Sequence, residues 1–277
     1  MMQGSKATWP WPRAAITGAS SGLGAALALE LAAPGRTLHL SGRDPARLAA
    51  TAAACRAAGA TVAETAFDVR DAEAAAAWIR GMVGSTGGLD LLVANAGTSA
   101  GTGGTREAPE AVARIFAVNL TGALNTIMPA LDLMGAQPPG PDGIRGRVAA
   151  IASIAAFTAS PGAPAYCASK TALQRWTEAT DATARRNGIR LHAVCPGFIR
   201  TPMTAPNTFP MPFLMEPERA ARLTLAGVQK GRARVVFPWP LYAAARLAGA
   251  LPVSWLSRLP SKAGSGAPEP PPPPPAG

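Results

Sequence analysis

Short apolar runs alternate along the chain with longer stretches in which apolar residues recur at helical spacing. The short runs predict buried strands at residues 14–17, 37–40, 61–67, 89–93, 147–151, 189–194 and 234–237. The longer stretches predict helices at residues 25–33, 46–59, 71–83, 111–133 and 168–179. Strands that are separated by helices predict an α/β fold with a doubly wound parallel sheet of the Rossmann type, in a single domain.

A glycine-rich turn directly follows the first strand and opens the first helix. In this context Gly18 permits the tight turn, Gly22 has no side chain to block a pyrophosphate, and Gly24 lets the helix pack close to the strand. The helix N-terminus offers N–H groups and a positive dipole end to phosphate. The pattern therefore predicts a dinucleotide site, against the alternative of a βα turn that holds no ligand.

The end of the second strand indicates which dinucleotide is preferred. An acid there would favour NAD by binding the ribose 2′-hydroxyl, but the chain has Ser41 and Arg43 instead. A guanidinium can hold a 2′-phosphate through two charge-assisted hydrogen bonds, and Ser41 can add a hydroxyl donor. We therefore expect NADP(H), with NAD(H) as the alternative cofactor. The competing interpretation is that Arg43 pairs with Asp44 or with a helix end.

A tyrosine and a lysine four residues apart, Tyr166 and Lys170, lie on one face of the last predicted helix of this series. A phenol has a reference pKa of about 10, and a fixed ammonium nearby favours the phenolate and lowers that pKa. The pair is therefore a candidate proton donor and acceptor for a carbonyl and alcohol couple. Alone, this spacing is also typical of two surface residues on a helix.

Polar and glycine residues recur where the predicted strands end. Since ligands of doubly wound sheets bind beyond the carboxyl ends of the strands, these residues are expected to form one site. They are Gly18, Arg43, Asp68, Asn95, Ser153 and Pro196.

With these motifs in order, the chain resembles the short-chain dehydrogenase/reductase family over about residues 12–203. The matching pieces are Thr17-Gly18-xxx-Gly22-x-Gly24, Asp68, Asn95-Ala96-Gly97, Asn119, Ser153, Tyr166-xxx-Lys170 and Pro196-Gly197-xxx-Thr201. The resemblance implies a nicotinamide-dependent oxidoreductase with four catalytic residues. These are Asn119, Ser153, Tyr166 and Lys170.

The resemblance also implies a role for each matching residue. Ser153 would polarise the carbonyl oxygen, Tyr166 would give it a proton, and Lys170 would lower the tyrosine pKa and hold the ribose. Asn119 would hold a water that links Lys170 to solvent, and Thr201 would hold the nicotinamide carboxamide. Asp68 and Val69 would contact the adenine, and Asn95 would support the sheet and the cofactor. The expected cofactor-binding set is Gly18, Ser20, Ser21, Gly22, Leu23, Gly24, Ser41, Arg43, Asp68, Val69, Asn95, Ala96, Gly97, Tyr166, Lys170, Pro196, Gly197, Ile199 and Thr201.

Three loops are expected to line the substrate cleft, at residues 98–105, 154–164 and 198–215. They are apolar, with charged groups only at their edges, Arg106 and Arg200. We therefore expect an apolar ketone, aldehyde or acyl chain as the small-molecule substrate. The alternative function is a catalytically silent module that senses a dinucleotide. The presence of both Tyr166 and Lys170 favours the enzyme.

Composition narrows the remaining classes. The chain has 277 residues and a net charge of +10, with arginines scattered rather than gathered in one block. It has no zinc-finger, basic-zipper or aromatic-basic RNA motif, so a nucleic-acid partner is not expected. The three cysteines lack CxxC spacing and are typical of reduced thiols in a cytoplasmic protein, and residues 1–12 show no signal peptide. His39 and His192 lie in apolar runs and are interpreted as core or edge residues, so no metal site is expected.

The last third departs from the usual family pattern, because the common Val-Asp-Gly-Gly strand end is absent. Residues 235–260 are apolar apart from two arginines, and four prolines argue against a spanning helix. An amphipathic helix is predicted at 241–251. It is open to three interpretations, namely peripheral membrane contact with Arg232 and Arg234 at the headgroups, a subunit interface in a homo-oligomer, or a lid. The expected organisation is an N-terminal arm at 1–12, the domain at 13–260, and a disordered Pro-rich tail at 261–277.

Overall fold

Seven parallel strands form one sheet in the order β3-β2-β1-β4-β5-β6-β7. The structure, a computed structural model, describes residues 9–102 and 106–252. Each strand that the apolar runs predict is present, so the doubly wound parallel sheet is confirmed. The strands are β1 Arg13–Thr17, β2 Thr37–Gly42, β3 Thr61–Ala66, β4 Leu91–Ala94, β5 Gly146–Ile151, β6 Ile189–Pro196 and β7 Arg234–Phe237.

Helices cover both faces of the sheet. Buried side chains of α1, α2 and α7 pack with one face, and those of α3, α5 and α6 pack with the other. This arrangement follows from parallel strands, whose crossover connections must pass over one face or the other. The helices are α1 Gly22–Leu31, α2 Pro45–Ala57, α3 Ala72–Thr86, α4 Pro109–Phe116, α5 Ala123–Ala136, α6 Pro164–Ala184, α7 Pro217–Gln229 and α8 Trp239–Gly249.

Some element boundaries differ from the sequence expectation. Residues 89–93 were expected as a strand, whereas β4 begins at Leu91; the Asp90 carboxylate before it binds the backbone N–H of Arg13 at 2.8 Å and its guanidinium at 2.6 Å. The helix expected at 111–133 is α4 and α5 joined by a π-helical turn, Ala117–Gly122. The helix that carries Tyr166 begins earlier, with Pro164 in its first turn. Sequence analysis places no helix at α7.

The expected N-terminal arm is partly inside the domain. Trp9 and Trp11 are buried in the core with α1, and their rings stack at 6.2 Å. Arg36 donates hydrogen bonds to the backbone oxygens of both tryptophans. Two large indoles bury too much apolar surface to remain in solvent. The domain therefore begins before residue 13, while residues 1–8 lie outside the described part of the chain.

The C-terminal strand and helix lie close to where the apolar pattern predicts them. The inner face of α8 packs on a 3₁₀ turn, Ile154–Phe157, and buries Ala245. Its outer face exposes Trp239 by 70% and Leu247 by 73%. The expectations for 253–260 and for the tail at 261–277 fall outside the described residues.

One helical stretch in the described chain, Pro109–Ala136, is long and apolar enough to cross a membrane by length and composition alone. That is weak support for a span, because core helices of soluble proteins pass the same criterion. Buried residues of the α5 part, among them Ile127 and Met134, pack with β5 and α3 in the core.

Candidate active site

The glycine turn after β1 leaves room only for glycine at three positions. Gly18 and Gly22 have φ angles of +65° and +54°, in the left-handed region that favours glycine. A Cβ on Gly24 would collide with the carbonyl oxygen of Gly18 and lie 2.5 Å from Nδ2 of Asn95. The expected close approach of helix and strand at Gly24 is therefore present in the structure.

The first turn of α1 points its backbone donors toward the carboxyl end of the sheet. The helix begins at Gly22, and the side chain of Ser21 makes no capping hydrogen bond. Ser20 lies against Gly42 at the end of β2, where a Cβ would stand 3.1 Å from Oγ of Ser20. Leu23 is buried beneath the turn. The N–H groups of the turn are thus oriented for an anion such as a pyrophosphate.

Asn95 ties β4 to the glycine turn. Its Nδ2 donates to the carbonyl oxygens of Thr17 and Gly18 at 3.0 and 3.1 Å. In return, Oγ1 of Thr17 accepts from the backbone N–H groups of Asn95 and Ala96 at 3.0 and 3.1 Å. The support of the sheet expected of Asn95 is present, and Thr17 is a supporting residue to which sequence analysis assigned no role.

Tyr166, Lys170 and Ser153 come together at the carboxyl end of β5. The Nζ of Lys170 lies 5.9 Å from the centroid of the Tyr166 ring and donates to the carbonyl oxygen of Ile151 at 2.8 Å. The Oγ of Ser153 accepts from the backbone N–H of Ala155 at 3.1 Å. The Tyr166 hydroxyl interacts with the Ser153 side chain. The three predicted residues therefore form one constellation.

Burial dominates the protonation of this pair. It raises the pKa of the Tyr166 hydroxyl, and the hydrogen bond with Ser153 opposes the rise only in part. Burial also lowers the pKa of Lys170 from 10.5 to about 8. The pKa of Tyr166 is therefore raised overall, and the lowering expected from Lys170 stays a prediction.

Asn119 lies in the π-helical turn and is completely buried. Its Oδ1 accepts from the N–H of Thr98 at 2.8 Å, and its Nδ2 donates to the carbonyl oxygen of Thr98 and to Oγ of Ser169. Both amide hydrogens are therefore used within the protein, and the water expected at Asn119 stays a prediction. A Cβ on Gly97 would lie 3.4 Å from both Oδ1 of Asn119 and Nζ of Lys170, so the glycine leaves the space between them open.

The adenosine end of the site contains two arginines rather than one. Arg43 is exposed at the tip of β2, and Asp44 caps α2 and binds Arg47. After β3, Asp68 binds the guanidinium of Arg70 at 2.7 Å. Burial would raise the pKa of Asp68, but the hydrogen bonds from Arg70 and the charges of Arg70 and Arg43 outweigh it, so that pKa is lowered. Asp68 therefore lies within the field of both arginines, and sequence analysis overlooked Arg70.

Two neighbours of these arginines are buried. Ser41 is completely buried between β1 and β3, and its Oγ has no partner within the described structure. The hydroxyl contact expected from Ser41 stays a prediction, because it needs this buried Oγ to reach the ribose. Val69 is buried beside Gly122, whose Cβ would meet the valine side chain at 2.6 Å.

The end of β6 meets the glycine turn. A Cβ on Gly22 would lie 2.9 Å from Cγ2 of Thr201, so this threonine stands directly over the turn. The N–H of Thr201 donates to Oγ1 of Thr204 at 3.0 Å, and Ile199 is buried. Pro196 ends the strand, and the N–H of Gly197 donates to the carbonyl oxygen of Phe237. The structure thus brings both predicted ends of the dinucleotide site together.

A cavity of about 560 Å³ opens beside the N-terminus of α6. It lies between two of the predicted cleft loops, and Glu107 accepts a hydrogen bond from the N–H of Ala165 at its wall. Pro164 contributes to the wall and begins the helix that carries Tyr166. Its lining residues are Thr102, Arg106, Glu107, Pro109, Val112, Ala113, Pro161 and Pro164.

The remaining candidate residues are structural. His39 and His192 are buried, as expected, and burial lowers the pKa of His192 to about 4. Cys55, Cys167 and Cys195 are buried thiols. Across residues 9–102 and 106–252, no group of three His, Cys, Asp or Glu side chains is placed to hold a metal ion.

Comparison with known proteins gives consistent matches. A family model described as short chain dehydrogenase matches residues 12–210. An uncharacterized oxidoreductase of Myxococcus xanthus is 40% identical over 239 residues, which is 86% of this chain and 92% of that protein. A protein named for ketoacyl reduction by the granaticin polyketide synthase of Streptomyces violaceoruber is 37% identical over 192 residues, or 69% of either chain.

A solved structure also matches. It is that of a short chain dehydrogenase from Mycobacterium paratuberculosis bound to NAD, which is 26% identical to this chain. The match has a TM-score of 0.67 and covers 81% of this chain and 95% of that one.

Proposed function

The chain belongs to the short-chain dehydrogenase/reductase family, and from that premise we propose that it is an NADP(H)-dependent oxidoreductase that interconverts a ketone or aldehyde and an alcohol. The observation that carries this proposal is the meeting of Ser153, Tyr166 and Lys170 at the carboxyl end of β5. A dinucleotide fits the glycine turn, where side chains are excluded and the N–H groups of α1 are uncapped. When bound, that cofactor supplies the hydride.

Each residue of the constellation has a chemical task. Ser153 donates a hydrogen bond to the carbonyl oxygen and polarises it, while Tyr166 gives that oxygen a proton. Lys170 lies where it can hold the ribose, once its Nζ leaves the carbonyl oxygen of Ile151 or shares its hydrogens with both. With the cofactor bound, the Lys170 ammonium would also act to lower the pKa of the Tyr166 phenol, which burial raises. Asn119 holds the backbone of Thr98 and the hydroxyl of Ser169 around this site.

The adenosine end supports a preference for NADPH over NADH. Arg43 and Arg70 surround Asp68, and Asp44 is occupied by Arg47 as the cap of α2. A 2′-phosphate carries close to two negative charges, so it favours a site with two guanidinium groups. Because a related structure contains NAD, NADH stays the alternative cofactor.

The substrate proposed is an apolar carbonyl compound or its alcohol. The cavity beside α6 is lined mainly by proline, valine, alanine and threonine, and Arg106 is the cationic side chain among its described lining residues. A relative of this chain is named for the reduction of a ketoacyl group, which is a carbonyl on an acyl chain. A keto group on an aliphatic chain is thus the first substrate class to test.

The Tyr166→Phe variant tests the catalytic role directly. It removes the proton donor and keeps the ring, so turnover of an aliphatic ketone with NADPH should fall by roughly 10²- to 10⁴-fold. NADPH affinity, measured by fluorescence titration, should stay within about threefold of the wild type, since the phosphates bind at the glycine turn. Retention of more than about a tenth of the activity would show that another group supplies the proton. NADPH binding by a wild type that turns over no carbonyl would instead favour the sensor function.

A further inference from the structure

Phe157, the last residue of the 3₁₀ turn behind Ser153, is held by side chains from the C-terminal part of the chain. We propose that Arg234 is a positioning residue that fixes this turn, and through it the hydroxyl of Ser153. This proposal rests on the proposed function of Ser153 and adds a residue to which nothing in the motif set assigns a role. It also gives a task to the segment where the chain departs from the common family pattern.

Arg234 contacts three elements from its place at the start of β7. Its guanidinium carbon lies 5.3 Å from the centroid of the Phe157 ring. Its NH2 and Nε groups donate to the two carboxylate oxygens of Glu178 on α6, the first at 2.8 Å. Its NH1 group donates to the hydroxyl of Tyr242 on α8 at 3.1 Å. One side chain thus joins α6, α8 and the turn.

The Phe157 ring is enclosed on several sides. The Tyr242 ring meets it edge-on, with centroids 5.0 Å apart and an interplanar angle of 82°. The guanidinium of Arg246 lies 5.8 Å from the Phe157 centroid. A Cβ on Gly249 would collide with the Phe157 carbonyl oxygen, so α8 approaches the backbone of the turn closely. These contacts leave the ring 8% exposed.

The 3₁₀ turn also determines the orientation of the Ser153 side chain. Ser153 is its N-cap, and Oγ accepts from the N–H of Ala155 inside the turn at 3.1 Å. The carbonyl oxygen of Ala156 accepts from Oγ1 of Thr171, which follows Lys170 on α6. A movement of Phe157 would therefore change the orientation of the Ser153 hydroxyl relative to Tyr166. The ion pair between Arg234 and Glu178 fixes that orientation relative to α6, the helix that carries Tyr166 and Lys170.

The ion pair is partly shielded, which makes the geometry firm. The side chains of Arg234 and Glu178 are 29% and 19% exposed, and the carboxylate binds the guanidinium through both oxygens. Paired donors of this kind fix direction as well as distance. The pair also raises the pKa of Arg234 further, so its charge is permanent over the range in which the enzyme works.

Arg234→Met tests the proposal, because methionine keeps a long apolar stem and removes the charge and all three hydrogen bonds. A small misplacement of a reacting group can cost on the order of 100-fold in rate, so we expect kcat to fall by roughly 10- to 100-fold. NADPH affinity should change by less than about threefold, since the glycine turn and Arg43 are untouched. Arg234→Lys keeps a cation near Phe157 without the two-pronged bond and should recover part of the loss.

A matched control is Arg190→Met. Arg190 forms the next shielded ion pair on the same helix, with Asp181, and its side chain is 18% exposed. Its guanidinium donates to Asp181 on α6 and to the carbonyl oxygen of Gly231, which belong to neither the 3₁₀ turn nor α8. It should lower the melting temperature to a similar extent and leave kcat within about threefold of the wild type. An equal loss of kcat in both variants would overturn the proposal.

The Ser153→Ala background separates positioning from general loss of structure. If Arg234 acts through Ser153, Arg234→Met should cost little further kcat in that background, within about threefold. A loss that multiplies with that of Ser153→Ala would show that Arg234 acts elsewhere.

Hydrogen exchange gives a readout that needs no substrate. Backbone amides of residues 154–158 should exchange faster in Arg234→Met than in Arg190→Met, while those of 18–24 stay unchanged. Unchanged exchange at 154–158 would overturn the proposal. Faster exchange in a protein that reduces no carbonyl would support the role of Arg234 in holding the 3₁₀ turn and would reject the proposed function.

Discussion

Arg43, at the tip of β2, and Arg47, in the first turn of α2, have different surroundings. Replacing each of them therefore tests the choice of cofactor. Arg43 lies in the field of Asp68, while Arg47 binds the helix cap Asp44. A charge-assisted hydrogen bond contributes roughly 1.5–3 kcal/mol, or about 10- to 100-fold in affinity. We expect the wild type to prefer NADPH by at least about tenfold in kcat/KM, and Arg43→Ala to remove most of that preference by weakening NADPH alone.

Steady-state kinetics with both cofactors measures this preference, and Arg47→Ala is the control because it removes an arginine of the same helix start. Arg47→Ala should leave the ratio of the two cofactors unchanged. Equal or better use of NADH by the wild type would assign the cofactor to NAD and remove Arg43 from the site.

Lys170 makes the stability of the ligand-free protein depend on pH. Its pKa falls from 10.5 to about 8 on folding, so between these values the unfolded state binds more protons than the folded one. Stability attributable to this residue should therefore rise as the pH increases from about 8 to 10.5, by up to about 3 kcal/mol, since one pKa unit corresponds to about 1.4 kcal/mol. Relative to Lys170→Met, the wild type should gain stability across this interval.

Chemical denaturation at several pH values measures the difference between the two proteins. Lys230→Met is the control, since Lys230 is exposed and its replacement should leave the pH dependence unchanged. A wild-type and Lys170→Met difference that does not vary with pH would show that Lys170 is not desolvated as the structure has it.

Sequence reasoning found the residues of the site but not their environments. The order of the motifs identified Tyr166, Lys170 and Ser153, and the structure brings them together. Sequence reasoning also predicted that Lys170 lowers the pKa of Tyr166, but it did not foresee that burial raises this pKa. Desolvation depends on atoms supplied by distant parts of the chain, so no local spacing contains it. The burial of Ser41 was not predictable for the same reason, because it is set by β3 on one side and β1 on the other.

At the scale of elements, the packing of α1 on β1 and β4 depends on a missing side chain. Gly24→Ala would place a methyl group against the Gly18 carbonyl and Asn95. Overpacking of this kind costs roughly 1–3 kcal/mol, so the melting temperature should fall and NADPH affinity should fall with it as the turn is pushed open. Thermal unfolding and cofactor titration measure the two effects.

Gly81 of α3 is the matched control, since no atom lies within 4 Å of the Cβ that it would gain. Gly81→Ala should stabilise the helix by up to about 1 kcal/mol through helix propensity and leave NADPH binding unchanged. Destabilisation by both alanines would mean that the cost does not come from the contact with Gly18.

The elements themselves were predictable to different degrees. Strands buried on both faces, such as β1, β4 and β5, give continuous apolar runs, while the mostly exposed edge strand β3 was predicted from a less uniform run. The pattern did not show α7, whose buried face consists largely of small residues such as Ala220, Ala221 and Gly227. Nor did it show the π-helical turn at Ala117–Gly122, since an added residue in one helical turn leaves no mark in hydropathy.

At the scale of the whole molecule, the outer face of α8 is the feature that the fold leaves uncovered. Trp239 and Leu247 are exposed, and residues 235–260 contain no acid while the chain carries a net charge of +10. Interfacial helices bind anionic headgroups through such a combination. We expect the protein to sediment with vesicles of anionic phospholipid at low salt, and Trp239→Ser with Leu247→Ser to prevent this.

Met128→Ser is the control, because Met128 is an exposed apolar residue on α5. It should sediment with the vesicles as the wild type does. A wild type that stays in the supernatant would leave a subunit interface or a lid as the role of this face. Light scattering would detect the interface as a dimer that the two α8 substitutions dissociate.

The position of Arg234 near the end of the chain sets the order in which the molecule becomes competent during synthesis. The glycine turn and β4 are synthesised before β7 and α8, whereas a single domain generally folds as a unit. The turn behind Ser153 gains its contacts with Arg234 and α8 only when β7 and α8 have been synthesised. A nascent chain that stops before β7 therefore lacks a contact on which the proposed site depends, and we expect it to be inactive.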